Sequence, residues 1–181
     1  MKRISEDALA TRKEIVRACQ WGNGHQSQIF YSQEAVRGAW LEHQWRYHLP
    51  MSLDCSSWAT YCCWVSGAPD PSGYNYHAVG NSDSIYLNAL KHGLIVPLAK
   101  ARMGDLAIFG GTPNNPYDAH HVSVLMQTPS RFMRRANTHR LPSDSHVSSH
   151  GSMGGPVKMT LHSEIDWEPN YHIVQTVPDN F

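Results

Sequence analysis

The feature that most constrains this chain is a change of hydrophobic period near residue 93. Before it, apolar residues recur at helical spacing; after it come short strand candidates, one of them alternating at Val122, Val124 and Met126. Residues 5–20 predict a helix, with Thr11 and Glu14 fitting a capping box and Ile15, Val16 and Cys19 forming an apolar stripe. Trp21-Gly-Asn-Gly is expected to end it. A second helix is expected from about Gln33 to Arg46, with Ser32 at its N-cap and Val36, Trp40, His43 and Tyr47 on one stripe. Residues 67–83 are rich in Gly, Pro and Asn and predict a long loop. Ser84 to His92 predicts a short helix closed by Gly93. Strands are then expected at 105–110, 121–127, 145–150 and 172–177, with a turn-rich loop over 110–118. Helices first and strands afterwards indicate an α+β domain with helices packed on an antiparallel sheet.

Composition narrows the function classes. At 181 residues, the chain is expected to be one domain with a proper core. Lys+Arg and Asp+Glu balance at 15 each, which argues against a dedicated nucleic-acid binder. No apolar run reaches membrane-spanning length, so no membrane partner is expected. The first residues, Met-Lys-Arg-Ile-Ser-Glu-Asp, lack the apolar core of a signal peptide, so synthesis in the cytoplasm is expected. The four cysteines, with Cys62 and Cys63 adjacent, do not suggest a disulfide framework. Twelve histidines invite a metal reading, but neither His-Glu-x-x-His nor a Cys/His finger spacing occurs. No cofactor is expected.

The stretch richest in chemistry runs from Ser52 to Ser66. It reads as a helix with Asp54 at the N-cap and Cys55 in the first turn. The helix dipole there favours thiolate over thiol. Cys55, Trp58, Cys62 and Val65 share one apolar face, so the thiol is expected to lie along a buried seam. A cysteine nucleophile needs a base within hydrogen-bond reach and a group that orients the base. Histidines on strands suit this best. His121 opens one expected strand and His150 ends another; if those strands are neighbours, both imidazoles can lie on the sheet face that meets the Cys55 helix. His120 competes with His121 but is expected to point to the opposite face. In the long loop, Tyr74 and Tyr76 offer flat faces to a sugar or peptide.

Three motifs now stand in order. Asp54-Cys55-Ser56-Ser57 resembles the start of the nucleophile helix in NlpC/P60 cysteine peptidases. Gly104-Asp105-Leu106 is similar to their Gly-Asp-Leu strand, and His121-Val122-Ser123-Val124 to the strand that carries their base. More narrowly, Leu53-Asp-Cys-Ser-Ser-Trp, Ala68-Pro-Asp-Pro and Ser149-His-Gly-Ser resemble the peptidase domain of actinobacteriophage endolysins, over roughly residues 45–155. Met103 and Ser57 depart from the usual proline and glycine, and residues 1–32 read as a helical extension without a family match.

The resemblance implies a papain-like fold and a peptidoglycan hydrolase that cuts an amide bond in the stem peptide or crossbridge. It implies Cys55 as nucleophile, His121 as base and His150 as orienter. The family's oxyanion hole uses the nucleophile's backbone N–H with an upstream tyrosine; Tyr47 is the candidate here, with Ser56 in support. No metal and no separate wall-binding domain are implied. The expected site of action is the cell wall, reached by holin-type release, and the expected state is a monomer. Alternatives on the same fold are an N-acetylmuramoyl-L-alanine amidase or an acyltransferase. A non-catalytic wall-binding or phage structural protein is a further alternative, as is a metal hydrolase using His120, His121 and His150.

Overall fold

Arg12 has to find an anion, because the helix that carries it turns this side chain into the protein interior. That helix, α1 (Glu6–Gly24), starts at Ser5, whose hydroxyl accepts the Ala8 amide at 3.0 Å. Glu6 and Asp7 in its first turn complement the dipole. Its buried residues are Ala8, Arg12, Ile15, Ala18, Cys19 and Gly22. The expected capping box at Thr11 and Glu14 therefore lies inside the helix, and Glu14 pairs with Arg17 instead. The expected break at Trp21 is also passed, because Gly22 lets α1 come close to the next long helix. A Cβ there would fall inside the Trp58 ring.

The computed structural model describes residues 4–128, 145–151, 154–160 and 170–181. A short strand, β1 (Ile29–Tyr31), follows α1. The helix expected over 33–46 does not form as one piece. A 3₁₀ turn, Ala35–Gly38, leads into a single-turn helix, α2 (Ala39–Glu42). Left-handed φ at Gln44 (54°) and Tyr47 (54°) then breaks the helical path. Tertiary partners outweigh the local period here. The Trp40 indole N–H donates to Ser57 at 3.0 Å, and the Tyr47 amide donates to the Tyr61 hydroxyl at 2.7 Å.

Strand β2 (Met51–Leu53) pairs with β1 in parallel, with Tyr31 opposite Leu53. Helix α3 (Cys55–Val65) follows directly, and helix α4 (Ser82–His92) closes on left-handed Gly93 as expected. The second half forms strands β3 (Ile95–Val96), β4 (Leu106–Thr112), β5 (Asn115–Leu125), β6 (Ser145–His150), β7 (Gly155–Thr160) and β8 (Tyr171–Val174). They make one sheet in the order β3-β8-β4-β5-β6-β7, antiparallel at every pairing. The fold is α+β. The loop expected over 110–118 is a tight β4–β5 hairpin whose register shifts after Phe109.

One sheet face carries Leu106, Ile108, Val122, Val124, Val147 and Val174, which join Trp58, Cys62 and the other inward residues of α3 in the main core. The opposite face carries a smaller cluster with Ala107, Phe109, Leu125 and Ile173. Among the described residues, no helix is long and apolar enough to cross a membrane.

The anion for Arg12 is Asp105. Their side chains are each 1% exposed, and the N–O distance is 2.5 Å. Arg12 also donates to the Met103 and Val177 carbonyls. Asp105 accepts the amides of Arg102 (2.8 Å) and Thr176 (3.3 Å). Burial pushes the Asp105 carboxyl up, and Arg12 with the two amides opposes that rise. The aspartate of the Gly-Asp-Leu motif is thus a structural anchor. Asp105→Ala leaves a buried cation unpaired and should cost about 3–5 kcal/mol in denaturant unfolding. The apolar pair Arg12→Met with Asp105→Leu should recover much of that loss.

Candidate active site

Asp54 fixes the start of α3. Its carboxylate accepts the Ser57 amide at 2.7 Å, the Ser56 hydroxyl at 2.9 Å and Arg37 at 2.8 and 3.0 Å. Arg37 also donates to the Ser56 hydroxyl (3.1 Å) and to the Val79 and Gly80 carbonyls at 3.4 and 3.0 Å. One guanidinium thus joins the 3₁₀ turn, the α3 N-terminus and the end of the long loop. The rest of that loop is organised by Asp70, which accepts the Ser72, Tyr74 and Tyr76 amides.

Cys55 is the first residue of α3 and is 7% exposed. The backbone amides of Val122, Ser56 and Cys55 itself lie close enough to its sulfur to pull the thiol pKa down. The Val122 contact locates it. A strand's N–H groups lie in the plane of the sheet. The β5–β6 ladder pairs Val124 with Val147 and Leu125 with His146, and its bridges stop there. The next β5 amide turned that way, that of Val122, lies toward the cysteine sulfur. The α3 N-terminus therefore sits where β5 and β6 part, and the Ser149 hydroxyl ties the other side by donating to the Leu53 carbonyl at 3.2 Å.

His121 precedes Val122. It is 8% exposed, and its Nε2 lies 3.2 Å from the Ser148 hydroxyl oxygen. Its ring centre is 4.5 Å from that of His150 and 5.7 Å from that of Phe109. The structure thus brings His121 and His150 together beside the parted strands. It sets them on the Phe109 and Leu125 side, while Val122 and Val124 face the α3 core. The expected face is therefore not the one observed, and Cys55 meets β5 at its backbone edge. His120 sits at the register shift and is exposed, with Nδ1 3.3 Å from the Asp118 carbonyl.

The tyrosines are redistributed. Tyr47 stands at the far end of α3, edge-on to Trp21 at 5.1 Å and near Cys62 and Glu14. The tyrosine near Cys55 is Tyr31, whose neighbours include Cys55, Asp54 and Arg37. Burial, then the charges of Cys55 and Asp54, raises its pKa, so the phenol keeps a proton to donate. Its oxygen accepts from Gln33 at 3.0 Å. The parallel β1–β2 register carries it there, and a three-residue strand leaves almost no periodic signal. The Ser56 hydroxyl is occupied by Asp54 and Arg37, which leaves its amide to face the sulfur. Tyr74 is 46% exposed at the loop surface. Tyr76 donates its hydroxyl to the Ala68 carbonyl at 2.7 Å and lines a cleft of about 630 Å³ with Arg37, Leu41, Glu42 and Val79. Among the described residues, no three His, Cys, Asp or Glu side chains are grouped to hold a metal ion. Ser152 of the Ser149-His-Gly-Ser motif lies outside the described residues.

The helix-start expectation of a thiolate is overturned. Burial, followed by the Asp54 charge, pushes the Cys55 thiol up to about 11, against the pull of the three amides.

Comparison of the sequence with models of protein families finds no match, and comparison with curated proteins finds none either.

The thiol pKa has a direct readout. At pH 8, a thiol titrating near 11 is about one part in a thousand thiolate. Alkylation of Cys55 by iodoacetamide should therefore be slow and climb about tenfold per pH unit up to pH 10. Asp54→Asn keeps the cap acceptor and removes the charge that raises the thiol, so it should speed alkylation at pH 8. Peptide mass spectrometry of the Cys55 fragment would follow both rates; a flat profile above pH 8 contradicts the raised pKa.

Proposed function

We propose that the chain is a peptidoglycan hydrolase that cuts an amide bond in the stem peptide or crossbridge through a Cys55 thiol mechanism, on a papain-like fold of the NlpC/P60 type. The observation that carries this reading is Cys55 at the start of α3, near the Val122 amide where β5 and β6 part, one residue from His121 and its neighbour His150.

The steps follow from those groups. The resting thiol is neutral, so His121 must take its proton as the sulfur attacks the amide carbonyl. The sulfur and imidazole have to reach hydrogen-bond distance in the substrate complex, where such contacts tighten. The C–S bond forms and the carbonyl π electrons move to oxygen. The α3 N-terminal amides and the Tyr31 phenol supply hydrogen bonds to that oxyanion. His121 then protonates the leaving amine as the C–N bond breaks. Water, deprotonated by the same imidazole, hydrolyses the thioester and restores the thiol. His150 and Ser148 orient the base. The cleft beside Arg37 gives the substrate a polar wall close to Asp54.

Purified protein incubated with actinobacterial and Gram-negative peptidoglycan should release new fragments, whose masses identify the bond. Cys55→Ala should abolish release, Tyr31→Phe should slow it by on the order of 10²-fold, and EDTA should leave it unchanged. Release that survives Cys55→Ala would refute the thiol mechanism; release stopped by EDTA would favour a metal.

A further inference from the structure

We propose that Cys19 and Cys62 are a peroxide-sensitive disulfide site that staples α1 to α3. The inference is independent of the cleavage reading, because neither residue touches Cys55 chemistry. The two sulfurs are 3.6 Å apart, in contact, and both side chains are wholly buried. A disulfide has its sulfurs about 2 Å apart, so closing this pair takes a movement of about 1.5 Å shared between two helices. α1 and α3 already pack against each other through Gly22 and Trp58, one turn along each helix from the pair.

All four cysteines are free. The enclosure of Cys19 and Cys62 decides which oxidant can act. Neither sulfur is open to a water-sized probe, so hydrogen peroxide reaches the pair only when the α1–α3 seam opens slightly, whereas a bulky disulfide reagent needs a much wider opening. One thiol is oxidised by peroxide to a sulfenic acid, and the O–O bond breaks to release one water. The second thiol attacks that sulfur, the S–S bond forms, and the sulfenic oxygen leaves with the two remaining protons as a second water. Both electrons come from the two sulfurs and end on the peroxide oxygens. The bond closes a loop from residue 19 to residue 62, and a loop of that length constrains the unfolded chain strongly. Cys63 is the competitor, since it lies next to Cys62 and also feels Cys19.

The test treats the whole chain with millimolar hydrogen peroxide, caps free thiols in denaturant and digests with trypsin without reductant. Residues 18–37 should be found joined to residues 47–91, and denatured thiols should fall from four to two. Cys55→Ala and Cys63→Ala should keep the cross-link, while Cys62→Ala should lose it. The cross-linked protein should melt about 5–10 °C higher, reversed by dithiothreitol. Wild-type protein that keeps four thiols would overturn the site, as would a cross-link that persists in Cys62→Ala. An unchanged or lower melting temperature of the linked protein would overturn the staple. None of these readouts uses peptidoglycan, so failure here leaves the hydrolase proposal untouched, and the reverse holds.

Discussion

A guanidinium taken wholly out of water must be met by an anion, and Arg12 is met by Asp105. The pair cannot form piecemeal. It needs α1 in place, the 102–105 turn closed and the chain end beside it, because Val177 accepts from Arg12 and Thr176 donates to Asp105. The first helix, the fourth strand and the last residues therefore assemble as one unit. Once α1 is set, Gly22 admits Trp58 and Cys19 meets Cys62, so α3 is set as well. The position of Cys55 at the edge of β5 is downstream of that ion pair, although the two lie at different ends of the sheet's core.

Two effects compete at Cys55. A helix N-terminus stabilises a negative charge by about 0.3–1 kcal/mol, less than one pKa unit. A rise from 9.0 to about 11 corresponds to roughly 3 kcal/mol in the other direction. Burial wins because the sulfur is enclosed where the two strands part, and Asp54 adds to it. The same carboxylate that caps the helix holds the thiol neutral. Such a cysteine resists adventitious alkylation at rest, and under the proposed thiol mechanism the base and its distance would carry more of the chemistry than the dipole does.

What the sequence makes legible is what local forces decide. Cys55–Val65 is announced by Asp54 and its own apolar face, Ser82–His92 by Gly93, β4 by a short apolar run and the second half of β5 by alternation. The failures share a cause. The 33–46 stretch has a helical stripe, but Trp40 and Arg37 spend their polar atoms on α3, and that interest lies outside any local window. Tyr47 is eight residues from Cys55 in sequence yet packs at Tyr61, while Tyr31 reaches Cys55 through a three-residue parallel pairing. Thr11 and Glu14 satisfy a capping pattern, but Ser5, with acidic residues behind it, begins the helix first. Strand alternation rightly separates His120 from His121. It does not reveal which face the core claims, because that depends on where α3 lands.

Arg37 couples the long loop to the cysteine. Its guanidinium holds Asp54 and Ser56 with one nitrogen and the Val79 and Gly80 carbonyls with the other. The loop end and the charge beside the thiol are therefore one mechanical unit. Drawing the loop outward with Arg37 would strip Asp54 of its counter-charge, and an unscreened carboxylate drives the neighbouring thiol pKa higher still. With the loop in place, Arg37 stays paired with Asp54. The cleft lined by Arg37, Tyr76 and Val79 lies against this same loop end.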